Sequence, residues 1–282
     1  MTLSTRLVAI AAVALSAGAL ATTAHAAPTW APAGSATVHP GVQTDTAGAG
    51  QCTSNFIFTA GEDVYIGQAA HCSGTGGSTE TDGCTSKSLP LGTDVTIQGA
   101  TQPGKLAYNS WITMQEKGEK DPDTCAFNDF ALVKVDPADV GKVNPSVPFY
   151  GGPVGLSRTG LQVGDGVFSY GNSSLRQGLT LLSPKRGLSL GDDGNGWSHG
   201  VVTLTPGVPG DSGSAFLTNS GEALGVLSTL ALLPIPGSNG VGDLAKELDY
   251  LRANSTIAAD LVPGTEPFTP KPIPLDLGGL LG

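Results

Sequence analysis

The chain has 282 residues with 41 Gly and 20 Pro, and only 13% of its residues are charged, about half of the usual ~25%. So many helix breakers argue against an all-helical protein. An apolar share of 39% with so little charge argues against disorder, and the absence of a G-X-Y repeat excludes collagen. What remains is a turn-rich globular chain of many short strands, long enough to bury a substantial core as one large β domain or two small ones.

The first 26 residues read as a secretory signal. Arg6 precedes an apolar run over residues 7–20, and Ala24-His25-Ala26 offers an A-x-A cleavage site before Ala27. The run falls short of the ~20 residues of a membrane span, and neither a twin arginine nor a cysteine at the cleavage site marks another export route. A secreted, extracellular product is expected. Without residues 1–26 the chain holds 13 Lys and Arg against 24 Asp and Glu, a net charge of −11. That balance argues against nucleic acid and against anionic membranes as partners.

Residues 27–50 are small and patternless, and read as either a removable propeptide or an ordered N-terminal arm. From Cys52 onward short apolar runs alternate with turns. Residues 56–58 and 64–66 flank the turn Gly61-Glu-Asp63 and read as a hairpin. Further strands are predicted at 95–97, 110–114 and 130–135. Residues 136–155 hold four prolines and four glycines and read as the link between two halves, 51–145 and 146–242. The second half predicts strands at 166–170, 179–182, 200–204, 214–217 and 223–227, a spacing typical of sandwiches and barrels. One segment, 243–254, has a helical period: Asp243 can cap a helix in which Leu244, Leu248 and Leu251 fall at i, i+4 and i+7, with Asn254 as the stop. Residues 262–282 carry five prolines and read as a loose, extended tail.

Cys52, Cys72, Cys84 and Cys125 all lie in the exported part, where thiols oxidise. Two disulfides are expected, with three pairings open. No C-x-x-C is present, so a zinc site is not indicated. Gly191-Asp-Asp-Gly-Asn-Gly196 offers calcium-like oxygens without the spacing of an EF-hand and reads as a hairpin turn. Neither a metal nor any other cofactor is expected.

Histidine is scarce, which narrows any acid–base chemistry to His39, His71 and His199. His71, in Gln68-Ala-Ala-His-Cys72, would be held by a disulfide at its neighbour, and a general base needs such fixed geometry. Ser212, in Pro209-Gly-Asp-Ser-Gly-Ser214, sits between two apolar runs. Its glycines allow a sharp turn that could aim the N–H groups of Gly210 and Ser212 at a reacting carbonyl. Asp129 enters the apolar run 130–135, where a buried carboxylate needs a partner such as an imidazole N–H. The bland alternatives are a structural histidine, a Gly-rich turn and a turn-capping acid. His199, in Trp197-Ser-His-Gly200, reads as structural or surface.

Taken together, A-A-H-C at 69–72, D-F-A-L at 129–132 and G-D-S-G at 210–213 resemble the motifs of the chymotrypsin-like serine proteases, in the family's order His, Asp, Ser. The order excludes the α/β-hydrolases, since no histidine follows Ser212, and no acid before His71 sits in a subtilisin-like motif. The resemblance, over about residues 51–254, is to the secreted bacterial members. It implies an all-β fold of two antiparallel six-stranded β-barrels with a short C-terminal helix, and disulfides Cys52–Cys72 and Cys84–Cys125. It further implies a secreted endopeptidase acting on protein or peptide substrates through His71, Asp129 and Ser212, as a monomer.

The family's frequent G-D-S-G-G-P reads Gly210-Asp-Ser-Gly-Ser-Ala215 here, and its pocket-floor acid falls on Pro206, so a preference for Lys or Arg has no support. Ser228 matches a family serine that contacts the buried Asp, and Leu230 falls where small residues keep the pocket open, which implies a shallow apolar pocket. Two other readings are a non-catalytic binding module on the same fold and a serine esterase. The intact His-Asp-Ser set speaks against the first, and comparing ester with peptide turnover separates the second.

Overall fold

The computed structural model describes residues 28–77, 81–230 and 235–273. The predicted signal and residues 274–282 of the tail lie outside the described residues. Strands β1 (Gln43–Thr46) and β2 (Gln51–Thr53) lead into the hairpin of β3 (Ile57–Ala60) and β4 (Asp63–Gln68). Then come β5 (Asp94–Ile97), β6 (Gly104–Asn109), helices α1 (Ser110–Lys117) and α2 (Pro122–Phe127), and β7 (Ala131–Lys134). The second half holds β8 (Gly166–Tyr170), β9 (Pro184–Asp193), β10 (Ser198–Thr203), β11 (Ala215–Thr218), β12 (Ala223–Leu230) and β13 (Asn239–Asp243). Helix α3 (Leu244–Asn254) and a short β14 (Asp260–Leu261) follow.

The second half closes into a six-stranded barrel, β10-β13-β12-β11-β8-β9, while the first is a sheet in the order β14-β3-β4-β7-β6-β5-β1-β2. The expected all-β class is the one observed, with one correction: the first half is an eight-stranded sheet in place of a closed six-stranded barrel, with β1 added from the N-terminal arm and β14 from beyond α3. Among the described residues no helix is long and apolar enough to cross a membrane.

Side-chain alternation explains the packing. In the first half Ile57, Val64, Ile66, Ala131 and Val133 point into one cluster inside the sheet. Their neighbours Phe58, Tyr65, Phe130 and Leu132 point the other way, into a cluster shared with Phe168, Leu217, Val226 and Leu248 from the second half and α3. Phe216, Val167, Leu224 and Val241 fill the second barrel. Strands covered on both faces read as near-continuous apolar runs, which accounts for much of the low charge.

Three of the predicted segments take another form. Residues 110–114 form the start of α1, not a strand. The Asn109 side chain accepts from the N–H groups of Trp111 and Ile112, and Gly118 ends the helix in the left-handed region. Trp111 and Met114, one turn apart, pack on Ala70. Residues 179–182 are mostly a 3₁₀ turn, Thr180–Leu182. The neighbouring β8 already pairs with β9 from Pro184 onward and with β11, which leaves these residues no strand partner. The described part of the tail is docked, not loose: Gly152 N–H donates to the Glu266 carbonyl, Thr269 N–H to that of Tyr150, and Phe268 packs edge-on against Phe168. α3 is capped by Asp243 and buries Leu244, Leu248 and Leu251.

Candidate active site

His71 lies on a short 3₁₀ turn, Ala70–Ser73, that follows β4. Asp129 lies two residues before β7, and the pairing of β4 with β7 brings the two together. The Asp129 carboxylate accepts from His71 N–H through Oδ1 at 2.9 Å and faces His71 Nδ1 through Oδ2 at 2.6 Å. Ser228 Oγ donates to the same Oδ2 at 2.6 Å. The Ala70 N–H donates to the Asp129 carbonyl, and Asn109 Nδ2 to the Ala70 carbonyl, so the histidine turn is tied down on both sides. Burial works against a charged imidazole, but the charge and hydrogen bond of Asp129 outweigh it and hold His71 above its ordinary 6.5.

Ser212 occupies the turn before β11. This turn is docked on β2: Thr53 N–H donates to the Ser212 carbonyl at 2.8 Å, while Thr53 Oγ1 and Gln51 Nε2 donate to the Gly210 carbonyl. Gly213 has φ +87°, and a Cβ there would lie 2.5 Å from the Thr53 carbonyl oxygen, so only glycine fits this approach. Within the turn the N–H groups of Asp211, Gly213 and Ser214 bond to main-chain carbonyls. Among the described residues none accepts from the N–H of Gly210 or Ser212. Cys52, on the same β2, is disulfide-bonded to Cys72, next to His71, and Cys84 is bonded to Cys125. These are the pairings implied by the motif resemblance.

Asp211, just before Ser212, is fully buried. It takes a bidentate contact from Arg176 at 2.5 Å, an ion pair from the buried Lys185 at 3.0 Å, and the N–H groups of Ser173 and Val208. Burial alone would favour the neutral acid, but the Arg176 hydrogen bonds and the Lys185 charge keep the carboxyl below its ordinary range. Burial pushes Lys185 down to about 8.

His71, Ser212, Ser228 and Leu230 line one cleft of about 710 Å³ between the two halves, together with Trp111 and Asn239. Leu230 sits at its edge, 43% exposed. Pro206 is not among the lining residues: its carbonyl faces Arg176 and Lys185, and Gly207 takes the wall position. Asn239, which sequence reasoning missed, accepts from Gly207 N–H and donates to the Thr229 carbonyl. It thereby links two walls of the cleft, a role with no local signature.

His199 stands apart from the cleft. It is buried between Asp192 Oδ1 at 2.6 Å and Asp243 Oδ2 at 3.0 Å, joining β9, β10 and the cap of α3. Burial opposes its protonation, but the two carboxylates outweigh that and raise it above 6.5. Its stabilising contribution is therefore full below 6.5 and lost as pH rises through the higher folded value. Thermal denaturation of His199→Asn beside the unmodified protein is expected to show a deficit of about 2–3 kcal/mol at mildly acidic pH, shrinking toward alkaline pH. A deficit independent of pH would contradict this assignment.

Two antiparallel β units with a cleft between them, backed by a C-terminal helix, define the chymotrypsin-like fold. A scan of protein-family models gives no match, and a search of curated proteins gives none. Among solved structures, the chain is similar to Thermobifida fusca protease A, with a TM-score of 0.52 and 18% identity over 80% of this chain and 99% of that one. It is also similar to a Glu endopeptidase in complex with MPD, with a TM-score of 0.50 and 15% identity over 78% and 92%.

Proposed function

We propose that the chain is a secreted serine endopeptidase acting on protein or peptide substrates. The observation that carries this reading is the convergence of His71, paired through Nδ1 with the buried Asp129, and Ser212 on one cleft. Ser212 attacks the substrate carbonyl and His71 takes its proton, then returns it to the leaving amine as the acyl-enzyme forms. Asp129 holds the ring so that its Nδ1 carries the hydrogen and Nε2 is free to accept, and it stabilises the imidazolium. The N–H groups of Gly210 and Ser212, which no described residue engages, receive the developing oxyanion. The cleft wall at 207–210 carries no acid, so an uncharged side chain before the scissile bond is favoured over Lys or Arg. The disulfides and the predicted signal support an extracellular setting, and the net negative charge supports neither nucleic acid nor anionic membranes as partners. The protein is read as acting alone, as a monomer.

A fluorophosphonate is expected to label the protein on Ser212, and Ser212→Ala to lose both labelling and casein cleavage. A folded protein that resists labelling and leaves peptides intact would refute the proposal.

A further inference from the structure

Behind the His71–Asp129 pair lies a second acid that the mechanism above does not use. Glu247 projects from α3 and has no exposed surface. Its Oε1 accepts from the Asp129 N–H at 3.2 Å, and a Cβ on Gly242 would lie 2.5 Å from that oxygen, so β13 is shaped around the carboxyl. Every other polar atom of Asp129 is engaged from the histidine side or by Ser228: Oδ1 by His71 N–H, Oδ2 by His71 Nδ1 and Ser228 Oγ, and the carbonyl by Ala70 N–H. The Asp129 N–H is the one point at which α3 holds this residue.

The charge balance around Glu247 disfavours its ionised form. The groups that face it are the carboxylates of Asp129 and Asp243 and, from β6, the phenol of Tyr108. Asp129 is matched by His71 and Asp243 by His199. Among the described residues no lysine, arginine or histidine pairs with Glu247. A buried carboxylate beside two others, without a cation, is strongly disfavoured. Oε1 accepts from the Asp129 N–H and Oε2 makes no hydrogen bond to a described residue, which leaves Oε2 as the oxygen open to a proton.

We propose that Glu247 is a positioning residue for the His71–Asp129 pair: a neutral carboxylic acid that fixes the Asp129 main chain while keeping a second negative charge away from the imidazole. Burial, reinforced by the Asp129 and Asp243 carboxylates, holds Glu247 well above the ordinary carboxyl range, in line with this form. The inference rests on the endopeptidase reading for its kinetic part only, because the state of His71 can be measured directly.

The test compares the full-length secreted protein with Glu247→Gln, which keeps the acceptor and the neutral charge, and Glu247→Leu, which removes the acceptor at similar volume. Two readouts are used: kcat and KM on a peptide, and the titration of His71 followed by NMR of nitrogen-labelled imidazole. Glu247→Leu is expected to lower kcat about tenfold or more with KM little changed and to displace the His71 titration. Glu247→Gln should restore kcat to within about threefold and leave the titration in place. Wild-type kcat and titration in Glu247→Leu would overturn the positioning role. A His71 titration lowered in Glu247→Gln would show that Glu247 is charged and overturn the neutral assignment, even if Glu247→Leu fails to fold. Absence of peptide turnover in the unmodified protein would count against the endopeptidase reading alone, and the His71 titrations would still judge Glu247.

Discussion

Asp129→Asn is expected to lower kcat by about 10⁴-fold with little change in KM. Asparagine keeps the volume and one acceptor oxygen, so the peptide around residue 129 can retain its bonds to Ala70 and Glu247. What is lost is the negative charge opposite His71 Nδ1. Without it, burial is left to act on His71 unopposed and its pKa falls below 6.5. The amide NH₂ can also face Nδ1, forcing the hydrogen onto Nε2, the atom that must accept from Ser212. The pH profile gives a second check. In the unmodified protein the raised pKa means that activity is lost as pH falls through a value above 6.5, since only the neutral imidazole accepts a proton. In Asp129→Asn the residual activity should keep its level to lower pH. A variant within tenfold of the unmodified rate would exclude Asp129 from this role.

Asp211→Ala is expected to remove activity and to destabilise the protein by about 3–5 kcal/mol. Arg176 and Lys185 converge on this carboxylate, and the Lys185 side chain has no exposed surface. Removing the acid leaves two cations facing each other in a dry site and orphans the N–H groups of Ser173 and Val208. The melting temperature should fall by about 10 °C or more. The double change Asp211→Leu with Lys185→Met should recover part of the stability, since a paired charge cluster can often be replaced by apolar groups. It should not recover activity, because the ion pairs also pin the turn that carries Ser212. Calorimetry and peptide turnover on both variants check this, and an unchanged melting temperature for Asp211→Ala would contradict it.

How much of this was legible in the sequence depends on how local each feature is. His71, Asp129 and Ser212 each sit in a short motif whose neighbours supply the turn, the disulfide or the strand, so they stand out one at a time. The helix over 244–254 was visible because its leucines repeat on one face. Residues 110–114 misled because tryptophan, isoleucine and threonine favour strands, while the deciding signals were a cap at Asn109 and a stop at Gly118. Strand β1 was hidden for another reason. It alternates buried Thr44 and Thr46 with exposed Asp45, a period of two written in polar residues. Glu247, Asn239, Arg176 and Lys185 act on partners 20 or more residues away, or on a wall formed only when the barrel closes. No local pattern announces such pairs, although a glutamate on the apolar stripe of α3, three residues after Leu244, was a visible oddity.

The three residues of β2 hold both ends of the proposed reaction. Cys52 is covalently joined to the neighbour of His71, and Thr53 and Gln51 grip the main chain on both sides of Asp211. The halves therefore cannot drift apart while the chemistry stays assembled, nor can base and nucleophile lose alignment while the halves stay docked. Assembly of the reacting groups and docking of the two halves become one cooperative event, and loss of turnover on heating should coincide with loss of tertiary structure instead of preceding it.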